Sequence, residues 1–278
     1  MEILPCYRHH FCWLLCALFL WVACQPAPDS TATSSKTTQS AAVLPTLANQ
    51  PNDSLSMHTA TFPSKDGLTI HARVYHKNTA APVVLLCHQA GSSKDEYAET
   101  APMIANWGYN CVAIDQRAGG TRLGGNNETA TLATQQGKST EFTDAEQDIV
   151  AAIDYVFKMY DKPIILVGSS YSAALTLKLG SENRKLLAVA AFSPGEYFQH
   201  DPQYIGKTLP NLKKPTFITS SLEEVPQATA LFDLITIEHK MQFKPTTAGI
   251  HGARALWQQT PDHEAYQTAF RSFLDSIR

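Results

Sequence analysis

The chain has 278 residues, of which 44% are hydrophobic, 17% charged and 9% aromatic, with a formal net charge of −3. This is the composition of a globular protein able to bury a full core, so one domain of roughly 200 to 250 residues plus extra segments is expected, and disordered or collagen-like chains are excluded. No dense Lys/Arg run is present, and nucleic acid, which is bound by clustered positive charge that displaces counterions, is set aside as a partner.

In chain order the N-terminus comes first. An uninterrupted apolar run extends from Phe11 to Ala23 and closes on Val22-Ala23-Cys24, behind a short segment containing Arg8. Its 13 residues fall short of the about 20 that a membrane-spanning helix needs, but they match the apolar core of an export signal. The small residue before Cys24 resembles the bacterial lipoprotein cleavage box, although Trp21 stands where that box usually has Leu. The resemblance implies a signal peptide over residues 1–24 and lipid attachment at Cys24. The mature protein would then be anchored to a bacterial membrane, facing the periplasm or the cell exterior. A plain secretory signal or an uncleaved anchor is the alternative. Four of the six cysteines lie at or before Cys24, so a disulfide scaffold is excluded. The other two, Cys87 and Cys111, occupy apolar strand-like positions and read as buried thiols, although export would permit a bridge.

Residues 25–56 are rich in Thr, Ser, Ala, Gln and Pro and cannot bury enough surface to offset their ordering entropy; they read as a flexible tether. From residue 57 onward strands and helices alternate. HTATFPS and LTIHARVYH, joined by Lys65-Asp66-Gly67, form an expected antiparallel hairpin. PVVLLCH (82–88) is a continuous apolar run of strand length, as expected where both faces are covered, and the helical spacing after it ends on Gly108. YNCVAID (109–115) is the next strand. The polar stretch 121–140 has no apolar rhythm and reads as a long surface loop, and a helix is expected from about Thr143 to Tyr160, with Thr143 and Glu146 as its cap. KPIILVG (162–168) precedes a helix over 171–179. Three further strands lie in LLAVAAFS, KKPTFITSS and HKMQFKPTT, and a helix from Asp262 to Ile277 closes the chain. Repeated strand–helix units imply an α/β fold with a doubly wound, mostly parallel sheet.

Gly168-Ser169-Ser170-Tyr171-Ser172 falls between the strand IILV and a helix. A serine on so sharp a turn is held with its hydroxyl projecting, and small flanking residues let strand and helix approach. The segment resembles the G-x-S-x-G nucleophile elbow of α/β-hydrolases, with Ser172 in place of the last glycine. The resemblance covers about residues 57–278 and implies an α/β-hydrolase fold, akin to serine esterases and dienelactone hydrolases, with Ser170 as nucleophile. An acid and a histidine should follow, each after a later strand. His251, in the irregular stretch AGIHGARAL, stands where the base is expected; His200, His239 and His263 do not. Glu224 is the preferred acid and Glu223 the alternative, both following PTFITSS. The oxyanion hole would be formed by the amide of Tyr171 and that of Ala90 or Gln89, in the loop His88-Gln89-Ala90-Gly91, where Gln replaces the family's first glycine. His88 would order this loop, and Asp115-Gln116-Arg117-Ala118-Gly119-Gly120 would buttress it.

No His or carboxylate repeat suits a metal and no phosphate loop is present, so no cofactor is expected. Only 20 residues, Pro194 to Lys213, connect the sixth and seventh strands, which is too short for a large cap domain. Tyr197, Phe198 and Tyr204 within it either line a substrate pocket or pack against the loop. The function implied is a serine hydrolase acting on small-molecule carboxylic esters. The alternatives are a peptidase or thioesterase using the same triad, and a non-catalytic lipoprotein that binds through a hydrolase fold.

Overall fold

Alternating side chains make the first two strands, β1 (Ser56–Pro63) and β2 (Thr69–His76), an antiparallel pair in the register Phe62 to Ile70. Gly67, at φ 82, supplies the left-handed residue that the turn between them requires. The computed structural model describes residues 54–278, which all lie within one unit, Ala41–Arg278. The expected signal peptide, Cys24 and nearly all of the tether lie outside the described residues.

The central strands are the continuous apolar runs: β3 (Val83–Cys87), β4 (Asn110–Ile114), β5 (Ile164–Ser169), β6 (Leu186–Phe192), β7 (Thr216–Thr219) and β8 (Lys240–Phe243). The sheet order is β1-β2-β4-β3-β5-β6-β7-β8, antiparallel at β1, β2 and β4 and parallel from β4 to β8. This is the doubly wound, mostly parallel sheet with an N-terminal hairpin that the sequence implies. Six α-helices accompany it among the described residues: α1 (Thr100–Asn106), α2 (Glu128–Gln135), α3 (Glu146–Tyr160), α4 (Tyr171–Glu182), α5 (Val225–Leu234) and α6 (His263–Ser276).

One face of the sheet is covered through Ala133, Ile149, Ile153, Leu175, Ala228 and Leu231 of α2, α3, α4 and α5. The other is covered through Ala101, Ile104, Phe270 and Phe273 of α1 and α6. Each large apolar side chain so buried contributes about 1.5 to 3 kcal/mol. Cys87 and Cys111 are free and lie in opposite layers, because Cys111 pairs with Val84, three residues from Cys87, and odd separations along a strand point to opposite faces. A bridge between them is excluded by that parity.

Three local expectations are corrected. The stretch 121–140 is not all loop: Asn127 caps α2 by accepting the Ala130 amide at 2.7 Å, and its side-chain amide reaches the carbonyls of Ser92 and Gln116, both at 3.0 Å. A tertiary anchor rather than an apolar stripe places this helix. The expected Thr143–Glu146 cap does not form. Helix α3 starts at Glu146, whose carboxylate turns instead to Lys178 at 2.8 Å and to the Tyr204 hydroxyl at 3.1 Å. The helical region before Gly108 is split into a short 3-10 turn, Lys94–Tyr97, and α1. Pro102 lacks an amide and crowds the carbonyl four residues back, so it fits only the first turn of a helix that begins near it.

Candidate active site

The expected catalytic and oxyanion-hole residues all sit where strands end and helices or loops begin, along the carboxyl edge of the parallel strands, which is where open α/β sheets place their clefts. Ser170 follows β5 at φ 60 and ψ −123, a region that non-glycine residues rarely occupy. The turn is tight enough that a Cβ on Gly168 would lie 2.3 Å from the Ser172 carbonyl oxygen. The Ser170 amide donates to the Phe192 carbonyl at 2.8 Å, tying the turn to the end of β6.

Ser172, the departure from the family's glycine, acts as a fastener. Its hydroxyl oxygen lies 2.8 Å from the carbonyls of both Cys87 and His88 and accepts the Ser169 amide at 3.0 Å. One small side chain thus fixes the elbow to the loop after β3. As the first residue of α4, Tyr171 has an amide without a helical partner, and no other hydrogen bond engages it among the described residues; the same holds for the Ala90 amide. The Gln89 amide, the alternative donor expected from the sequence, is taken by the Glu96 carboxylate at 2.8 Å. Glu96 is almost fully buried and also accepts from the Ser169 hydroxyl at 2.7 Å, while that hydroxyl accepts the Ala253 amide at 2.9 Å.

His88 is wholly buried, with Nε2 accepting the Gln116 amide at 2.9 Å and Nδ1 within 2.8 Å of the Gln89 carbonyl. Those partners require the neutral tautomer with the proton on Nδ1, and burial holds its pKa below the usual value. Both nitrogens being committed to the backbone, His88 orders the loop. The Asp115–Gly120 segment buttresses it from behind. Lys94, itself buried, reaches Asp115 at 2.9 Å, and Arg117 reaches Asp148 at 2.7 Å and Asp66 at 2.9 Å.

On the far side, Glu224 lies between β7 and α5, at the N-terminal end of a helix, where the dipole favours an anion. Its Oε1 meets Nδ1 of His251. Its Oε2 accepts from the hydroxyls of Ser193 and Ser221, both at 2.7 Å, and from the Ser221 amide at 3.1 Å. Burial alone would raise the Glu224 pKa, but the hydrogen bonds from His251, Ser193 and Ser221 outweigh it and bring the carboxyl down to about 2. Glu223 is exposed and points to no partner in this cluster. With Nδ1 on the carboxylate, His251 keeps Nε2 free to accept a proton. Gly252, at φ 77, turns the chain beside it, and a Cβ there would lie 2.5 Å from the Ser169 hydroxyl.

Among the aromatic residues of the β6–β7 connection, Tyr197 is half-buried beside the nucleophile. Its hydroxyl donates to the Ser193 carbonyl at 2.8 Å. Phe198 and Tyr204 instead pack on each other, with ring centroids 4.7 Å apart. His200 and His239 are exposed, and His263 opens α6. Ser193, Ser169 and Glu96 escaped the sequence reading because each acts through a partner distant in the chain, and Ser221 because a serine three residues before an acid carries no signal of its own. Among the described residues no three His, Cys, Asp or Glu side chains are grouped to hold a metal.

Comparison with known proteins agrees with this architecture. The model of the family described as serine aminopeptidase, S33, matches residues 78–243. No curated protein matches the chain significantly. Among solved structures, a dienelactone hydrolase from Anabaena variabilis superposes with a TM-score of 0.63 at 14% identity, over 80% of this chain and 98% of that one. An esterase from Pyrococcus furiosus gives 0.58 at 19% identity, over 80% and 93%. An acylaminoacyl peptidase from Pyrococcus horikoshii gives 0.59 at 16% identity, over 80% and 42%. At such identities the likeness carries the fold, while the family model spans more than half of the sequence. The chain belongs to the serine aminopeptidase S33 family of α/β-hydrolases.

Proposed function

We propose that the chain is a serine hydrolase that cleaves carboxylic esters through an acyl-enzyme, with Ser170 as nucleophile, His251 as general base and Glu224 as the residue that orients it. The observation that carries this reading is the Glu224–His251 hydrogen bond, formed by an acid and a base that follow a serine on a strained elbow in the order Ser, acid, His. His251 Nε2 takes the Ser170 proton as Oγ attacks the ester carbonyl carbon, and the amides of Tyr171 and Ala90 donate to the oxyanion that forms. Collapse of that intermediate expels the alcohol, protonated by the imidazolium, and water then repeats the sequence on the acyl-serine. Glu224 remains ionised throughout, holding the imidazole in the tautomer that accepts the proton and stabilising its charged form.

A small, soluble ester is favoured by the β6–β7 connection, which carries one short 3-10 turn, Gly206–Asn211, and no cap. A second reading is favoured by the family description: the same groups cleave an amide, and an aminopeptidase activity is the leading alternative. From the sequence of residues 1–24 we also propose export and lipid attachment at Cys24.

The test is covalent labelling of the full-length chain with a fluorophosphonate probe, with S170A and H251A as controls, followed by a panel of aryl esters, thioesters and aminoacyl amides. Labelling of Ser170 that is lost in both variants, with ester turnover exceeding amide turnover, is the expected result. A folded protein that takes no label favours a binding lipoprotein instead.

A further inference from the structure

Ser193 directly follows β6 at φ 55, in the left-handed region where glycine rests without strain and serine does not. For turning the chain, glycine would serve better at this position; what serine adds is its hydroxyl. That hydroxyl is buried and has two partners, donating to Glu224 Oε2 at 2.7 Å and accepting the Gly252 amide at 2.9 Å. The backbone of the same residue makes two further ties. Its amide donates to the Thr219 carbonyl at 2.7 Å, and its carbonyl accepts the Tyr197 hydroxyl. Ser221 also donates to Oε2, but it lies on the same loop as the acid and makes no bond to the loop of His251.

We infer that Ser193 is a positioning residue for hydrolysis: its hydroxyl fixes the rotamer of Glu224 and the placement of the His251 loop in one step, so that Oε1 is aimed at Nδ1. This rests on the triad reading above. In this conformation the hydroxyl lies between the acid and the Gly252 amide, and the surrounding bonds hold the strained backbone there. The titratable groups facing the Glu224–His251 pair are Tyr197 from the β6–β7 connection and Tyr266 from α6, with Asp262 acting on Tyr266. Burial pushes both phenols up to about 12, so they stay neutral across the range in which a histidine titrates.

The experiment compares S193G and S193A with wild type in the full-length chain. S193G relieves the backbone strain but takes the hydroxyl from the Glu224 carboxylate and the Gly252 amide, so its melting temperature should fall less than that of S193A, while kcat falls about tenfold with KM nearly unchanged. Taking one donor from Oε2 leaves more negative charge facing the imidazole, so the acid limb of kcat/KM should move up by about half a pH unit. S193A should show the same kinetic changes with the strain retained. Wild-type kcat and pH profile in both variants, while S170A and H251A are inactive, would overturn the role of Ser193 and leave the triad standing. Activity and stability lost together with an unmoved pH profile would also overturn it, as a scaffold effect. A wild-type chain that takes no fluorophosphonate overturns both.

Discussion

Glu224 reaches His251 through one carboxylate oxygen only, and its other oxygen is held by three donors from Ser193 and Ser221. The plane of the carboxylate is thereby fixed, and with it the direction in which it can orient an imidazole. E224Q removes the charge and permits the wrong tautomer; kcat is expected to fall by on the order of 10³ to 10⁴ with KM little changed. Steady-state kinetics on an ester turned over by wild type checks this, and wild-type kcat in E224Q would remove Glu224 from the mechanism.

The same arrangement makes stability depend on pH at the acid end. Glu224 titrates near 2 when folded, below the ordinary value of 4.5, so its contribution is complete above about pH 4.5 and is lost as pH falls toward 2. Asp66, whose hydrogen bonds from Arg117 bring it to about 2, adds to the loss in nearly the same window. Thermal unfolding followed from pH 6 to about pH 2.5 should show a fall in midpoint that is reduced in E224Q.

Arg117 is held between Asp148, which has no exposed side-chain surface, and Asp66. R117A leaves the Asp148 carboxylate buried with the Ser64 hydroxyl and the Arg117 backbone amide as its remaining donors. The expected cost is about 3 to 5 kcal/mol, read from urea denaturation. A change below about 1 kcal/mol would mean that water reaches the site.

Ser172 joins the elbow to the loop after β3. S172A should cost about 1 to 3 kcal/mol of stability, because the Ser169 amide loses its partner. A fall in kcat larger than any rise in KM is also expected, since the Tyr171 and Ala90 amides lose their common support. Unchanged kinetics in a destabilised S172A would confine the residue to folding.

Cys87 and Cys111 are fully buried, and burial pushes both thiols well above their ordinary pKa. Neither should react with a water-soluble disulfide reagent in the native protein, and both should react at once in denaturant. Rapid native labelling would require an opening of the central sheet.

Ser170 and His251 were legible as candidates because their signals are local: a serine between small residues at a strand-to-helix turn, and a histidine beside glycine ahead of the last helix. The helix α2 was not legible, because its polar sequence offers no stripe and its start is set by bonds from Asn127 to Ser92 and Gln116. Glu223 and Glu224 differ by one position, and only the spacing implied by the family resemblance favours Glu224 in the sequence. The physical difference arises when the start of α5 turns Glu224 toward His251 and Glu223 to solvent.

The sequence by itself determined the sheet and the order in which the candidate groups are met, since apolar period and strand–turn–helix punctuation are encoded within short windows. Tertiary structure alone decided which amides are free for an oxyanion, which glutamate faces the histidine, and that Ser193 lies between acid and base loop. Those outcomes depend on hydrogen bonds between residues tens of positions apart, and such bonds exist only after the sheet has brought the strand ends together.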